Sequence, residues 1–268
     1  MKKFRIIFFV FFVFIFCTGT LASQSLKGMS LNGATGLYSI PTGRIGWERS
    51  SDLGLDLGYH AIIKKGVATH IPKAALSFFK WVELSLALDL QPDTYYGNSS
   101  NNDFIGGVKI QFPLEKTALA LGANLQSLNL GSESPKRYNA GQVYLAVSYS
   151  GIFFEMPAET TVVVGKTFIA NHSDKNLDFG MGFDLILFPK VFERYVHWIV
   201  DFSNFSYSVE PWSVVAKNRG VVNTGLRIDL TVIPVFRKFK FVVDILATDI
   251  FDENRAFSVG GVFGIPIL

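Results

Sequence analysis

Cysteine is almost absent: Cys17 is the only one in 268 residues, so the chain cannot close an internal disulfide. Long apolar runs are also missing. Beyond Ala22 no stretch of 18 apolar residues occurs, which excludes membrane-spanning helices. Charge of one sign is lacking too. The formal net charge of +3 rests on Lys2, Lys3 and Arg5; without them 22 basic residues face 22 acidic ones, and no basic surface is left to hold nucleic acid. There are four histidines, His60, His70, His172 and His197, and no His-x-x-x-His, calcium-loop or Gly-x-Ser-x-Gly spacing. His172-Ser173-Asp174 is contiguous in a polar stretch, whereas a triad converges from separate elements. We therefore expect no catalytic residue, no metal and no cofactor, and a protein that is not an enzyme.

What is present begins with Lys2, Lys3 and Arg5, followed by the apolar run Ile6 to Phe16 and the small-residue site Thr20-Leu21-Ala22. This order predicts a secretory signal peptide over residues 1–22, removed by cleavage, ahead of one domain over 23–268. The apolar run is too short for a helix anchor, which needs about 20 residues. Cys17 is a poor lipidation site because bulky Phe16 precedes it. Removal of the leader also removes the only thiol.

Strict alternation dominates the rest. In Ser51 to Ala61, Leu53, Leu55, Leu57, Tyr59 and Ala61 interleave with Asp52, Gly54, Asp56, Gly58 and His60. The same period of two runs through Val82 to Leu90 and Leu177 to Leu187, with weaker copies near 104–112, 118–128, 142–149, 196–203, 222–230, 239–247 and 257–267. Turn-forming clusters separate them at Gln91-Pro92-Asp93, Gly97 to Asn102, Gly131 to Asn139, Asn171 to Asn176 and Asp252-Glu253-Asn254. The pattern predicts an all-β, antiparallel, up-and-down meander of about 12 strands, within a range of 10 to 14.

A soluble sandwich or lipocalin-like binder also alternates. Strands this long suit a tilted membrane crossing, which takes about 9 to 11 residues, and the second face is rich in Gly54, Gly58, Ser85, Gly180, Gly182 and Gly260, as a confined lumen would be. The C-terminal spacing of Ser258, Gly260, Phe263 and Ile265 resembles the terminal assembly signal of bacterial outer-membrane barrels, although the usual final aromatic is replaced by Leu268. A transmembrane β-barrel in the outer membrane is the expected fold and location. Its partners would be outer-membrane lipids and the barrel assembly machinery. With the apolar face toward lipid, Asp56, His60, Glu83, Asp89, Lys109, Gln111, Asn124, Gln126, Asp178, Asp184, His197, Asp201, Asn223, Arg227, Asp229, Lys240 and Asp244 point into the lumen. That set supports either a cation-favouring path for polar solutes or a closed network that fills a narrow barrel. Phe78, Phe79, Trp81, Trp198, Phe202, Tyr207 and Trp212 are candidates for interfacial girdles.

One stretch stands apart. "GATGLYSIPTGRIG", Gly33 to Gly46, has no Gly-Lys-Ser/Thr ending, preceding strand or following helix, so it is not a phosphate loop. Locally it predicts a strand over Thr35 to Ile40 broken at Pro41, with Gly43 and Gly46 allowing turns and Arg44 paired with an inward carboxylate or with strand-end carbonyls at the barrel mouth. Gly36, Leu37, Pro41, Thr42 and Arg44 resemble the Gly-Leu-x-x-x-Pro-Thr-Ala-Arg start of YjbH-like outer-membrane proteins, with Gly43 in place of their alanine. "VDFSNFSYS" (Val200 to Ser208) and "NTGLRIDL" (Asn223 to Leu230) resemble segments of related barrels. The resemblance implies a barrel with a fixed opening segment and a link to exopolysaccharide, so that envelope polysaccharide or export partners would be its cargo or associates. The expected function is passage or export of a polar solute or envelope polysaccharide; a non-conducting structural or adhesive barrel is the alternative.

Overall fold

The computed structural model describes residues 28–48, 51–64, 67–91, 101–114, 116–129, 137–169, 177–204, 220–233, 236, 239–251 and 255–267. The leader expected over residues 1–22, the His172-Ser173-Asp174 trio, and Tyr207 and Trp212 lie outside them. Twelve strands follow one another: β1 (Leu53–Lys64), β2 (Val67–Phe78), β3 (Val82–Gln91), β4 (Asn101–Pro113), β5 (Thr117–Asn129), β6 (Arg137–Phe153), β7 (Met156–Ile169), β8 (Asp178–Ile186), β9 (Val196–Ser203), β10 (Val221–Asp229), β11 (Lys240–Thr248) and β12 (Ala256–Pro266). Each pairs antiparallel with its neighbours in sequence, and β12 closes on β1, from Gly54 opposite Pro266 to Ile63 opposite Phe257. The fold is a closed up-and-down barrel of 12 strands. Closure leaves no strand edge unpaired.

Alternation places the side chains. Leu84, Leu86 and Leu88 of β3 are exposed on the outside, while Glu83, Ser85 and Ala87 are buried inside. The same rule turns Leu121 and Leu125, Val143 and Leu145, Ile245, and Phe257, Val259, Phe263 and Ile265 outward. Of the terminal signal residues, Phe263 and Ile265 thus lie on the outer face, and Ser258 is fully buried within. Gly260 stands opposite His60 on β1 and Asp244 on β11.

Two strands had no counterpart in the alternating runs. In β2, Ile71 and Ala75 are buried inside the barrel, so apolar residues occupy both faces; in β7, Val163 does the same between Val162 and exposed Val164. The β6–β7 turn hid a boundary as well. It consists of Phe154 and Glu155, both at positive φ (45° and 62°), and holds no glycine, proline or asparagine. Two residues at positive φ make the hairpin turn whose twist matches the flanking strands. The loops expected over Gly97 to Asn102 and Gly131 to Asn139 are shorter than their polar composition suggests, since β4 begins at Asn101 and β6 at Arg137.

The rim that carries the β2–β3, β4–β5 and β6–β7 turns is aromatic: Phe79, Trp81, Phe112, Phe153 and Phe154 are all exposed there, and Phe188 and Phe239 join them from the β8–β9 and β10–β11 connections. Phe104, Phe168, Phe251 and Phe257 stand exposed toward the opposite rim.

Candidate functional site

The interior of the barrel is occupied by the chain itself. Residues 28–48 precede β1 and lie within the lumen, and all of them are buried except the half-buried Leu31. This corrects the expectation of a strand over Thr35 to Ile40. The segment joins no strand of the wall; its own bridges are Met29 with Thr35 and Gly36 with Pro41, the second closing a tight loop in which the Leu37 amide donates to the Ile40 carbonyl at 3.0 Å. A wall strand needs one face in and one face out, and these residues have no exposed face.

Apolar contacts seat the loop. Leu37, Tyr38 and Ile40 form one cluster with Ile71, Ala87, Ile105, Tyr144, Ala146, Val163, Ile199 and Leu246 from the wall. Lumen glycines provide sockets for three side chains of the segment. A Cβ added at Gly182 would lie 2.6 Å from Leu37 Cδ1, one at Gly180 2.6 Å from Ile40 Cγ2, and one at Gly54 2.3 Å from Trp47 Cγ. The small-residue face thus makes room for the segment. Burial among these groups raises the Tyr38 hydroxyl far above the usual phenol range.

Polar wall residues satisfy the rest. Glu83 accepts from the Thr35 amide at 2.8 Å, from Thr35 Oγ1 at 2.5 Å, from the Gly46 amide at 3.1 Å and from Lys109 Nζ at 3.0 Å. Asp201 accepts from the Tyr38 and Ser39 amides at 2.8 and 2.6 Å, from Ser39 Oγ at 2.9 Å and from Asn223 Nδ2 at 2.7 Å. Asp244 holds Arg227 bidentately at 2.8 and 3.0 Å and stands 3.4 Å from His60 Nε2, which leaves Arg227 Nη1 to donate to the Gly36 carbonyl at 3.2 Å. Asp56 takes Lys240 at 2.6 Å and Trp47 Nε1 at 2.9 Å, with the ammonium 5.1 Å from the Trp47 ring centroid. Buried charges with partners on every side are the stable arrangement.

Arg44, Pro41, Thr42, Gly36 and Leu37 all belong to this segment. Arg44 is 1% exposed and pairs with an inward carboxylate, as expected: its Nε donates to Glu159 Oε2 at 2.9 Å, Nη1 to Glu48 at 3.1 Å and Nη2 to Ser150 Oγ at 3.1 Å. Gly43 lies at a bend and Gly46 opens the turn over residues 46–48, both without positive φ. Gly43 brings its amide to Ser148 Oγ at 2.9 Å, and a Cβ there would lie 2.3 Å from the Ala118 carbonyl. The left-handed position is Gly33, at φ 87°, set against the backbone of Leu86.

Other inward residues form networks of their own. Asp178 accepts from Gln142 Nε2 at 3.1 Å and Thr167 Oγ1 at 2.5 Å, with Asn124 bonded to Gln142 at 3.0 Å. Asp184 pairs with His197 Nδ1 at 2.5 Å. Asp229 caps the short 3-10 turn Leu230–Val232 by accepting from the Thr231 amide at 2.9 Å. Asp89 is only half-buried on β3. Gln111 accepts from the Ile45 amide at 2.7 Å, and Gln126 is buried. Sequence reasoning missed Lys73 and Glu159, because β2 and β7 were not recognised, and it also missed Ser148 of β6. Lys73 Nζ donates to the Met29 and Ser30 carbonyls at 3.0 and 2.9 Å. Among the described residues no group of three or more His, Cys, Asp or Glu side chains is arranged to hold a metal ion.

Comparison with known proteins adds the fold's context. Two structures of KdgM porin, one in complex with disordered oligogalacturonate, superpose on 78% of this chain and 98% of theirs at TM-score 0.50, with 10% and 9% identity. The Acinetobacter baumannii outer membrane protein Omp33 aligns over 81% of this chain and 98% of its own at 11% identity and TM-score 0.44. The chain has the fold of an outer-membrane porin. No family model matches it, and no curated protein does. With no family model and no curated protein matching, the likeness to YjbH-like proteins is not upheld, and with it goes the link to exopolysaccharide; KdgM porin is among the solved structures that share the fold. The physical reason lies in the motif itself. Gly36 bridges to Pro41, Leu37 fills the Gly182 socket, Thr42 donates through its amide to the Thr35 carbonyl at 3.1 Å and Arg44 pairs with Glu159, so a tight loop packed inside this lumen accounts for their spacing without a common family.

Proposed function

We propose that this protein is an outer-membrane passage barrel for polar solutes, exported by its leader and held shut at rest by its own residues 28–48. The observation that carries this reading is the filled lumen: a porin fold in which the path is blocked by a segment joined to the wall through a single chain connection before β1. With that segment displaced, the buried wall would present nine carboxylates (Asp56, Glu83, Asp103, Glu159, Asp178, Asp184, Asp201, Asp229 and Asp244) against Lys73, Lys109, Arg227 and Lys240. Such a lumen favours cations and neutral polar solutes. An acidic oligosaccharide such as the one bound by KdgM porin would meet repulsion.

Conductance across a planar bilayer tests this. The intact chain should insert and stay closed. Leu37→Asp/Ile40→Asp, which sets two unpaired carboxylates in apolar sockets beside Asp201, should expel the segment and give steady, cation-preferring conductance. Steady conductance from the intact chain, or a folded double variant that remains silent, contradicts the reading; silence would favour a structural barrel.

Residence in the membrane has its own check. Leu86 is exposed on the outer face, and arginine there should cost about 2–4 kcal/mol if it lies near the bilayer midplane. Ser85→Arg is no milder, because its buried side chain adjoins the filled lumen. Refolding into vesicles at graded denaturant measures both, and a Leu86→Arg variant as stable as the parent contradicts a lipid-facing belt.

A further inference from the structure

The wall addresses the main chain of residues 28–48 more than their side chains. Six amides of the segment, those of Thr35, Tyr38, Ser39, Gly43, Ile45 and Gly46, donate to Glu83, Asp201, Ser148 or Gln111. Five of its carbonyls, those of Met29, Ser30, Thr35, Gly36 and Arg44, accept from Lys73, Lys109 or Arg227. Lys73 and Lys109 each bridge two carbonyls, and Glu83 and Asp201 each take two amides. A peptide usually binds a sheet by adding to a free edge. The closed barrel has none, so its inward side chains supply the donors and acceptors that an edge would supply.

Main-chain groups are common to every polypeptide, so these contacts place few demands on sequence. Side-chain selectivity comes from the glycine sockets at Gly54, Gly180 and Gly182, which take one indole and two branched aliphatic groups. We propose that the lumen is a binding site for a looped polypeptide segment supplied in trans, and that residues 28–48 are its resident occupant. This names the ligand class of the passage proposed above and rests on that reading.

The test uses the full chain with a protease-recognition sequence inserted between Glu48 and Ser51, folded in detergent and then cut. The severed barrel is held just below its melting temperature with a fluorescent synthetic peptide of residues 28–48. A second peptide carries ester bonds in place of the amides of Thr35, Tyr38, Ser39 and Gly46. The amide peptide should replace the severed segment at one per barrel, and the ester peptide should need at least about a tenfold higher concentration, since four bonds to buried carboxylates are lost. Equal binding of the two peptides overturns the proposal. So does failure of the amide peptide to associate, whether the severed segment stays or leaves, or equal displacement by an oligosaccharide. Conductance of the same cut and emptied barrel separates the readings: a silent barrel that binds peptide contradicts passage, and a conducting barrel that ignores peptide contradicts the site.

Discussion

Replacing Lys109 with methionine is expected to destabilise the folded barrel by about 3–5 kcal/mol, the usual cost of removing one partner from a buried ion pair. The Lys109 ammonium is 1% exposed and uses all three of its donors, on Glu83 at 3.0 Å, the Thr35 carbonyl at 2.9 Å and the Arg44 carbonyl at 2.6 Å. Methionine fills a similar volume, so lost packing is not the main effect. It leaves Glu83 with the Thr35 and Gly46 groups alone, and the Thr35 and Arg44 carbonyls with only the longer bonds they accept from Thr42. Adding Glu83→Gln should recover part of the loss, because the pair is coupled. Urea unfolding in detergent, followed by the heat-dependent gel shift of the barrel, reads the change. A Lys109→Met chain that unfolds at the parental midpoint contradicts the assignment of this lysine as the cross-brace between wall and segment.

Arg44→Ala should be of similar size, about 3–5 kcal/mol, because it takes the cationic partner from two buried carboxylates at once, leaving Glu159 to Ser150 and Glu48 to Gln111. Glu159 and Glu48 converge on the guanidinium from the wall and from the segment, and Ser150 fills the third direction. Lysine restores the charge at one point and cannot span all three partners, so Arg44→Lys should recover only part of the stability. The same variants carry a second readout. Loosening this contact frees the end of the segment nearest β1, and intermittent conductance should appear in Arg44→Ala before the barrel itself melts. Full recovery by lysine, or an alanine variant with unchanged melting and conductance, would show that the fork geometry has no role.

The barrel wall was legible because lipid-type burial is simple: one face apolar, one face not, over strands long enough to count. β1, β3 and β8 could be read from their alternation, and β12 from its terminal spacing. β2 and β7 escaped because Ile71, Ala75 and Val163 pack against the inner segment or its neighbours, which puts apolar residues on both faces. The Phe154-Glu155 turn escaped for a different reason. At an aromatic rim a turn can be built from residues that a water-exposed hairpin avoids, so composition gave no signal.

The segment itself was visible only as an oddity. Its partners lie far along the chain, as with Arg227 and Gly36, 191 residues apart, and no periodicity records such a contact. One trace did exist in the sequence: the inward glycines of β1 and β8 left more room than ion pairs and hydrogen bonds require. Gly54, Gly180 and Gly182 mark where Trp47, Ile40 and Leu37 enter. Arg44 was singled out as needing a carboxylate, but Glu159 could not be named as that carboxylate because β7 was not recognised.

The central claim is that residues 28–48 fill the lumen of the folded barrel, and solvent access to one buried position tests it most directly. In a chain with Cys17 replaced by serine, Ile40→Cys places a single thiol where the native side chain is fully buried between Gly180 and the inner cluster. The account predicts that a small charged thiol reagent leaves this cysteine unmodified in the folded, membrane-inserted protein and modifies it completely after denaturation. Rapid modification in the folded state, at the rate of an exposed thiol, would place the segment outside the lumen and contradict the account.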